Sequence, residues 1–238
     1  MTPLLFTAAV YGWIGFTAGY FFRKWLEGSL QPRFQAQAAP TRQPQSAGSD
    51  TGPAPEIVDW IDEDGRVLQS LPRAEIRGRN LLHRSSATFV FHPDGRLFVQ
   101  QRTLTKDVYP GLFDVCVGGT VVSGETYDQN ACREVAEELG IHGAPVYALF
   151  SHRFLDAHTN NAIRVFACVY DGPIVLQPEE VADGFWADRS RVETLLAGGR
   201  VCPDSVQGWR MYLERYGTSN FAREIAPGLS RIDFSALG

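Results

Sequence analysis

The side chains best placed to do chemistry are the four glutamates and one arginine within residues 119–141. Glu134, Glu137 and Glu138 share one face of a helix, because positions i, i+3 and i+4 are neighbours on its surface. Apolar residues at positions 131, 135 and 139 lie on the opposite face, and Gly140 is placed to end the helix. The acids then occupy the last turns, where the helix macrodipole and their mutual repulsion disfavour negative charge. The spacing therefore predicts a site for a hard divalent cation with oxygen ligands.

The same segment resembles the signature of the Nudix family. That signature runs glycine, five residues, glutamate, seven residues and then Arg-Glu-apolar-x-Glu-Glu-x-Gly-apolar, and residues 119–141 match it at every position. The resemblance implies that the three helix glutamates bind Mg²⁺ or Mn²⁺ together with the backbone carbonyl of Gly119. It also implies that Arg133 pairs with Glu125 and orients the metal ligands. The alternative interpretation of the pattern is an ordinary solvated acidic helix face.

Family members of this kind cleave a diphosphate linkage by attack of a metal-activated water on phosphorus, so the resemblance implies a hydrolase. Two carboxylates are candidates for the general base. One is Glu137 itself, and the other is Glu180, in a segment that resembles a downstream Nudix region supplying a base or an extra metal ligand. The expected catalytic set is therefore Glu137, Glu180, Arg133 and Glu125.

Two cations are expected to hold the substrate. Arg102 and Lys106 stand four residues apart just after a predicted strand, and guanidinium and ammonium groups both suit phosphate oxygens. Together with His83, they resemble the Nudix branch that contains type I isopentenyl-diphosphate isomerase and its hydrolase-like relatives. We therefore expect Arg102, Lys106 and His83 to bind substrate, although His83 also fits a hydrogen-bonding role at a strand start.

The isomerase interpretation fails at the positions where the chemistry of that enzyme should lie. Alignment of the signature loop puts the catalytic cysteine of the isomerase on Gly118 and its metal-binding histidine on Thr120. Two further isomerase glutamates fall near Thr159 and Asn161, while Cys116 lies two residues early and is expected to be a core thiol. Since every acid of the Nudix signature is present, the sequence favours hydrolysis.

Composition limits the remaining function classes. The chain has 238 residues, of which 44% are apolar and 12% aromatic, so it can bury a core. Its net charge of −5 argues against binding to a nucleic acid polymer, which requires a basic face. The four cysteines lie far apart without a CxxC pair, a spacing typical of buried reduced thiols.

The N-terminal region predicts a membrane anchor. Residues 4–22 carry no charge, have about the length of a bilayer-spanning helix, and are followed at once by Arg23 and Lys24. A cleaved signal peptide would need a positive region before the apolar run, which this sequence lacks. Positive-inside bias then predicts a single-pass membrane protein with a cytoplasmic catalytic domain. The pair Gly15 and Gly19 would also suit helix dimerisation, and hence a homodimer.

Patterning along the chain predicts an anchor at 1–28, a Pro- and Gln-rich flexible linker at 29–55, a Nudix domain at 56–217 and a C-terminal tail at 218–238. Strands are predicted at 57–61, 67–68, 86–91, 97–102, 113–117, 146–152, 162–170 and 185–186, with helices at 188–196 and 204–216 besides the signature helix. This order predicts an α/β fold with a mixed sheet between helices. It agrees with the α/β/α sandwich that the resemblance implies.

The sequence thus predicts a membrane-tethered hydrolase that uses Mg²⁺ or Mn²⁺ to cleave a small-molecule diphosphate, such as a nucleoside diphosphate derivative. One alternative is an enzyme like isopentenyl-diphosphate isomerase. The other is a metabolite-binding module at a membrane without catalytic activity, which the intact acids disfavour.

Overall fold

Residues 55–232, the range that this computed structural model describes, form a mixed β-sheet with helices against both of its faces. The expected anchor at 4–22 and all but the last residue of the expected linker lie outside this range. Within residues 55–232, no helix is both long and apolar enough to cross a membrane.

The strands of the sheet are β1 (Ile57–Ile61), β2 (Val67–Pro72), β3 (His83–Phe91), β4 (Leu97–Arg102), β5 (Phe113–Asp114), β6 (Val146–Leu155), β7 (Asn160–Val169), β8 (Val181–Ala187) and β9 (Arg231–Ile232). They pair in the order β2-β1-β3-β7-β6-β9, and β4 joins them through β3 and also pairs with β5 and β8. Strands β3 and β7 are parallel over nine residue pairs, and the other strand pairs are antiparallel. Strands β3 and β4 share only the pair Phe91 and Leu97, so the sheet opens between them.

Side-chain alternation along the strands divides the core between the two faces of the sheet. Phe89 and Phe91 of β3 pack with residues of α3 (Arg189–Ala197) and α4 (Pro203–Tyr216). Val90, between them, packs on the other face with α2 (Tyr127–Leu139). The predicted layering of a mixed sheet between helices is therefore confirmed for residues 55–232.

Helix α2 begins and ends as its sequence dictates. The Thr126 hydroxyl accepts a hydrogen bond from the Gln129 backbone N–H, and the Gln129 side chain accepts one from the Thr126 N–H, which makes a capping box. Gly140 ends the helix at φ 67°, a left-handed conformation that costs glycine little. Ala131, Val135 and Leu139 are buried, so the predicted apolar face is confirmed and the acidic face points away from the core.

The segment predicted as a strand at 113–117 is divided between two strands. Only Phe113–Asp114 pairs with β4. The Asp114 side chain then accepts a hydrogen bond from the Cys116 N–H, and Val117 exchanges backbone hydrogen bonds with Thr88 on β3. The chain thus passes from β4 to β3 across the gap where the sheet opens. The signature loop therefore lies at the centre of the sheet.

Two regions form secondary structure where the sequence predicts none. A short helix, α1 (Arg73–Gly78), follows β2 and buries only Ile76. The segment expected as a tail contains a π-helical turn (Phe221–Ile225), a 3₁₀ turn (Ala226–Gly228) and β9, which pairs with β6. Since Phe221 is buried in the core beside α4, residues 221–232 belong to the fold.

Candidate active site

A cavity of about 400 Å³ opens beside the acidic face of α2. Strand β3 and the signature loop supply one part of its wall, and α2 supplies Glu134, Glu137 and Glu138. The loop after β4 contributes residues 106–109, so the fold brings the predicted acids and Lys106 to one place. Helices α1 and α4 and strands β6 and β7 complete the wall.

The three helix acids differ in burial and in partners. The Glu138 side chain is 3% exposed; it accepts a hydrogen bond from Gln100 Nε2 at 2.9 Å and lies 3.3 Å from Lys106 Nζ. The Glu134 side chain is 12% exposed and Glu137 is 52% exposed, and both contact the Arg133 guanidinium, at 3.0 and 2.9 Å. One acid is therefore buried, one lies at the cavity wall and one is open to solvent.

The predicted pairing of Arg133 with Glu125 is confirmed. Arg133 Nε donates to Glu125 Oε1 at 2.9 Å and Arg133 Nη2 to Oε2 at 3.2 Å, a bidentate contact. Asn130 Nδ2 also donates to Glu125 at 3.0 Å. Burial raises the pKa of the Glu125 carboxyl, but hydrogen bonds from Arg133 and Asn130 outweigh it and hold that pKa below its usual value. Glu125 thus stays charged and fixes the guanidinium that holds two helix acids.

Gly119 lies against Glu134. A Cβ on Gly119 would come within 2.5 Å of Glu134 Oε1, so glycine is needed at this position for space. The carbonyl of Gly119 accepts a hydrogen bond from the Ser86 N–H at 3.0 Å, which leaves it a second lone pair. Glycine at position 119 therefore allows the signature loop and the helix acids to approach each other.

These oxygens fit a hard divalent cation. Burial, and then the charge of Glu138, raise the pKa of Glu134 to about 7, so a bound cation would favour its charged form. Glu134, Glu137, Glu138 and the Gly119 carbonyl offer only oxygen donors, the type that Mg²⁺ and Mn²⁺ prefer. Within residues 55–232, no three acidic, histidine or cysteine side chains already converge on one point as metal ligands would. In this arrangement Lys106 and Arg133 neutralise the acids instead.

Lys106, predicted to bind substrate, links a predicted metal ligand, Glu138, to a predicted general base, Glu180. Its ammonium contacts both Glu138 and Glu180, and its side chain is 12% exposed. Glu180 lies in the turn before β8 and lines the cavity, so the fold brings it to the helix acids. A substrate phosphate would compete with these two carboxylates for the ammonium group.

Arg102 lines the cavity, but most of its guanidinium group makes contacts within the protein. Its Nε and Nη2 donate to the carbonyl of Val108 at 3.1 and 2.9 Å, and Nη1 lies 3.8 Å from Asp114. Arg102 therefore holds the loop that carries Lys106. Of its three guanidinium nitrogens, Nη1 is the one that does not donate to the Val108 carbonyl.

His83 does not reach the cavity, so the structure does not support its predicted contact with substrate. It is 1% exposed, and its Nδ1 lies 2.8 Å from the Leu81 carbonyl. Burial lowers its pKa to about 4, so the ring is neutral at neutral pH. The alternative role, a hydrogen-bonding histidine at the start of a strand, agrees with this geometry.

Neither Gly118 nor Cys116 is suited to the role of the catalytic cysteine of the isomerase. A Cβ on Gly118 would overlap the backbone oxygen of Ser86 and lie 2.9 Å from its carbonyl carbon, so no cysteine fits there. Cys116 lines the cavity but is buried, and burial raises its pKa well above the usual thiol value. All four cysteines are free and buried, as predicted.

Several cavity residues were not predicted as site residues. Arg73 and Arg77 come from α1, and their i, i+4 spacing is the signal that could have placed them on one face. Tyr109 takes a left-handed φ of 51° and donates its hydroxyl to Asp156 at 2.6 Å, which joins the loop after β4 to the β6–β7 turn. The other unpredicted acids in the wall are Glu56, Asp107, Asp114 and Asp204.

Comparison with known proteins agrees with this geometry. A family model described as the NUDIX domain matches residues 81–201. The chain is 43% identical over 165 residues to the uncharacterized Nudix hydrolase PA4841 of Pseudomonas aeruginosa, covering 67% of this chain and 94% of that protein. It is 32% identical over 160 residues to the uncharacterized Nudix hydrolase YfcD of Escherichia coli K12, covering 67% and 88%. The crystal structure of DR0079 from Deinococcus radiodurans superposes with a TM-score of 0.54 at 25% identity, covering 61% of this chain and 91% of that one.

Proposed function

Because the chain belongs to the Nudix family and is a hydrolase of that family, we propose that it cleaves the diphosphate linkage of a small organic diphosphate, such as a nucleoside diphosphate derivative. The proposal depends on one observation: Glu134, Glu137, Glu138 and Lys106 all line a cavity large enough for a small molecule. We propose Mg²⁺ or Mn²⁺ as the cofactor, since the helix acids and the Gly119 carbonyl are all oxygen donors.

The residues of this chain have distinct parts in the proposed reaction. When bound, the cation would polarise the phosphoryl oxygens and lower the pKa of the attacking water. Lys106 is placed to bind a phosphate oxygen, and the Glu125–Arg133 pair holds the helix acids in position. The water oxygen forms a bond to phosphorus, the bridging P–O bond breaks, and a carboxylate accepts the water proton.

Two carboxylates are placed to accept that proton. Glu137 is half-exposed and paired with Arg133, and Glu180 contacts Lys106. Glu137→Gln and Glu180→Gln, compared across a pH series, separate the two roles. The variant that loses the acidic limb of the kcat profile lacks the base, whereas a variant with only a raised KM lacks a binding contact.

Hydrolysis itself is tested with a panel of diphosphates, assayed for phosphate release with Mg²⁺, with Mn²⁺ and with a chelator. Glu138→Gln keeps the shape of the side chain and an acceptor for Gln100 but removes its charge. We expect it to lower kcat by about a hundredfold, as for loss of a metal ligand. Glu214→Gln, the same change on the exposed face of α4, is the control. Near-wild-type turnover by Glu138→Gln would refute the assignment, and metal-dependent binding without turnover would indicate a silent binding module.

We also propose that residues 4–22 anchor the protein in a membrane with the hydrolase domain in the cytoplasm and that Gly15 and Gly19 pair two copies. The support is the uncharged run and the two cations that follow it. Release of the uncleaved full-length chain by alkaline carbonate would contradict a spanning helix. Crosslinking of Gly15→Cys in membranes tests the dimer.

A further inference from the structure

A second part of the same cavity is lined by hydrogen-bond acceptors that hydrolysis does not use. Asp114 from β5 and Asp204 from the first turn of α4 both line it. These two residues stand 90 positions apart in the sequence, and only the fold brings them to one wall. Asp114 is largely buried, since its side chain is 14% exposed.

The guanidinium of Arg102 and the charge of Arg77 partly balance the two carboxylates. Arg102 Nη1 lies 3.8 Å from Asp114 Oδ2, while the other donors of that guanidinium bind the Val108 carbonyl. Asp204 accepts a hydrogen bond from the Ser205 N–H at 3.0 Å. Burial, and then the charge of Asp204, raise the pKa of Asp114 to about 6. Negative charge at this wall is therefore only partly compensated within the protein.

A separate observation on β7 also indicates a ligand. Asn161 is 5% exposed and lines the cavity, yet its Oδ1 has no hydrogen-bond partner. An unpaired buried acceptor costs free energy unless a ligand or water satisfies it. Ile163 and Val165 follow Asn161 at alternate positions of β7 and line the same cavity. This wall, which we name the acceptor wall, consists of Asp114, Asp204, Asn161, Ile163 and Val165.

The acceptor wall offers a carbon chain two apolar side chains, and at its polar end it offers two carboxylates and the unpaired Asn161 Oδ1. A protonated amine satisfies such a set best, because it supplies three N–H donors and the missing positive charge. We propose that the acceptor wall binds an ammonium group on the organic part of the substrate, so that the preferred substrates are aminoalkyl or amino-sugar diphosphates. This inference depends on the proposed hydrolase function, since it places the diphosphate at the helix acids.

A matched pair of probes tests the inference. 3-Aminopropyl diphosphate and n-butyl diphosphate have nearly the same shape and differ by an ammonium in place of a methyl group. With Mg²⁺ or Mn²⁺, the full-length protein should show a KM at least tenfold lower for the amine, as for a charge-assisted hydrogen bond. 3-Hydroxypropyl diphosphate should fall between them. Equal KM values, or a preference for the hydroxyl compound, would overturn the proposal.

Two variants remove charge from the wall while keeping its backbone contacts. Asp114→Asn can still accept from the Cys116 N–H, and Asp204→Asn from the Ser205 N–H, so both should fold. Each should reduce the preference for the amine to less than threefold. Asp171→Asn, the same change at an exposed position, should keep the full preference. Full preference in both wall variants would show that these carboxylates have only a structural role.

Calorimetric binding of the same probes separates this inference from the proposed hydrolysis. If neither compound is hydrolysed but the amine binds at least tenfold more tightly, the hydrolase proposal fails for these substrates and the acceptor wall stands. If both are hydrolysed with equal KM and bind equally, hydrolysis stands and the acceptor wall is refuted.

Discussion

The buried ring of His83 makes the stability of the protein depend on pH in a way that can be calculated. Burial lowers its pKa from 6.5 to about 4; the Leu81 carbonyl opposes this shift, and the nearby Arg77 and Arg73 add to it. Because the folded pKa lies below the unfolded one, the unfolded chain binds the proton more readily, so acid favours unfolding. The stabilisation that the neutral, buried ring of His83 provides is complete above pH 6.5 and is lost as the pH falls toward 4. The linkage gives a loss of about 2 kcal/mol in unfolding free energy between pH 7 and pH 5.

His83→Asn isolates that contribution. Its amide can donate to the Leu81 carbonyl in place of Nδ1, and it does not titrate in this range. Urea unfolding of both proteins at pH 7 and pH 5 should show a pH-dependent difference of about 2 kcal/mol, equivalent to roughly 4–8 °C in Tm. The same variant should keep its KM within about twofold, because His83 lies outside the cavity. Identical pH dependence in the two proteins would refute the argument, and a large rise in KM would restore His83 to the substrate site.

Two further substitutions test the signature loop and helix. Gly118→Ala should lower the unfolding free energy by about 3 kcal/mol, because the added Cβ would collide with the backbone of Ser86. Gly78→Ala is the control: its Cβ would meet open space, so it should change the unfolding free energy by less than about 1 kcal/mol in the same urea titration. Arg133→Lys should lower kcat at least about tenfold in a phosphate-release assay, because a single ammonium cannot reproduce the bidentate contact with Glu125; wild-type kcat would show that this geometry does not matter.

The parts of the site that the sequence predicted are those that local spacing determines. The acids at positions 134, 137 and 138 share a face because of the helical repeat alone, and Gly140 ends α2 because glycine adopts positive φ at low cost. The contact of Arg133 with Glu125 spans a loop and came from the family signature. Strands with strong apolar patterns were likewise found, with boundaries displaced by a few residues.

The parts that the sequence did not predict depend on long-range pairing. Helix α1 buries one apolar residue in six, so it has no helical periodicity to detect, although it brings Arg77 to the cavity. Strand β9 has two residues and exists because β6 offers it an edge. Asn161 faces the cavity only because β7 pairs in parallel with β3, which no local pattern encodes. Asp204, predicted only as the first residue of a helix, also lines the cavity.

Two adjacent glycines show how the local signature and the long-range fold constrain the same site. Neither Gly118 nor Gly119 has positive φ, so conformational freedom does not explain them. A side chain at 119 would collide with Glu134 on α2, and one at 118 would collide with Ser86 on β3. The loop must therefore pass between the helix that carries the acids and the strand that forms the cavity wall. This narrow passage brings the Gly119 backbone to the acids of α2, and it excludes at 118 the cysteine that isomerase chemistry would need.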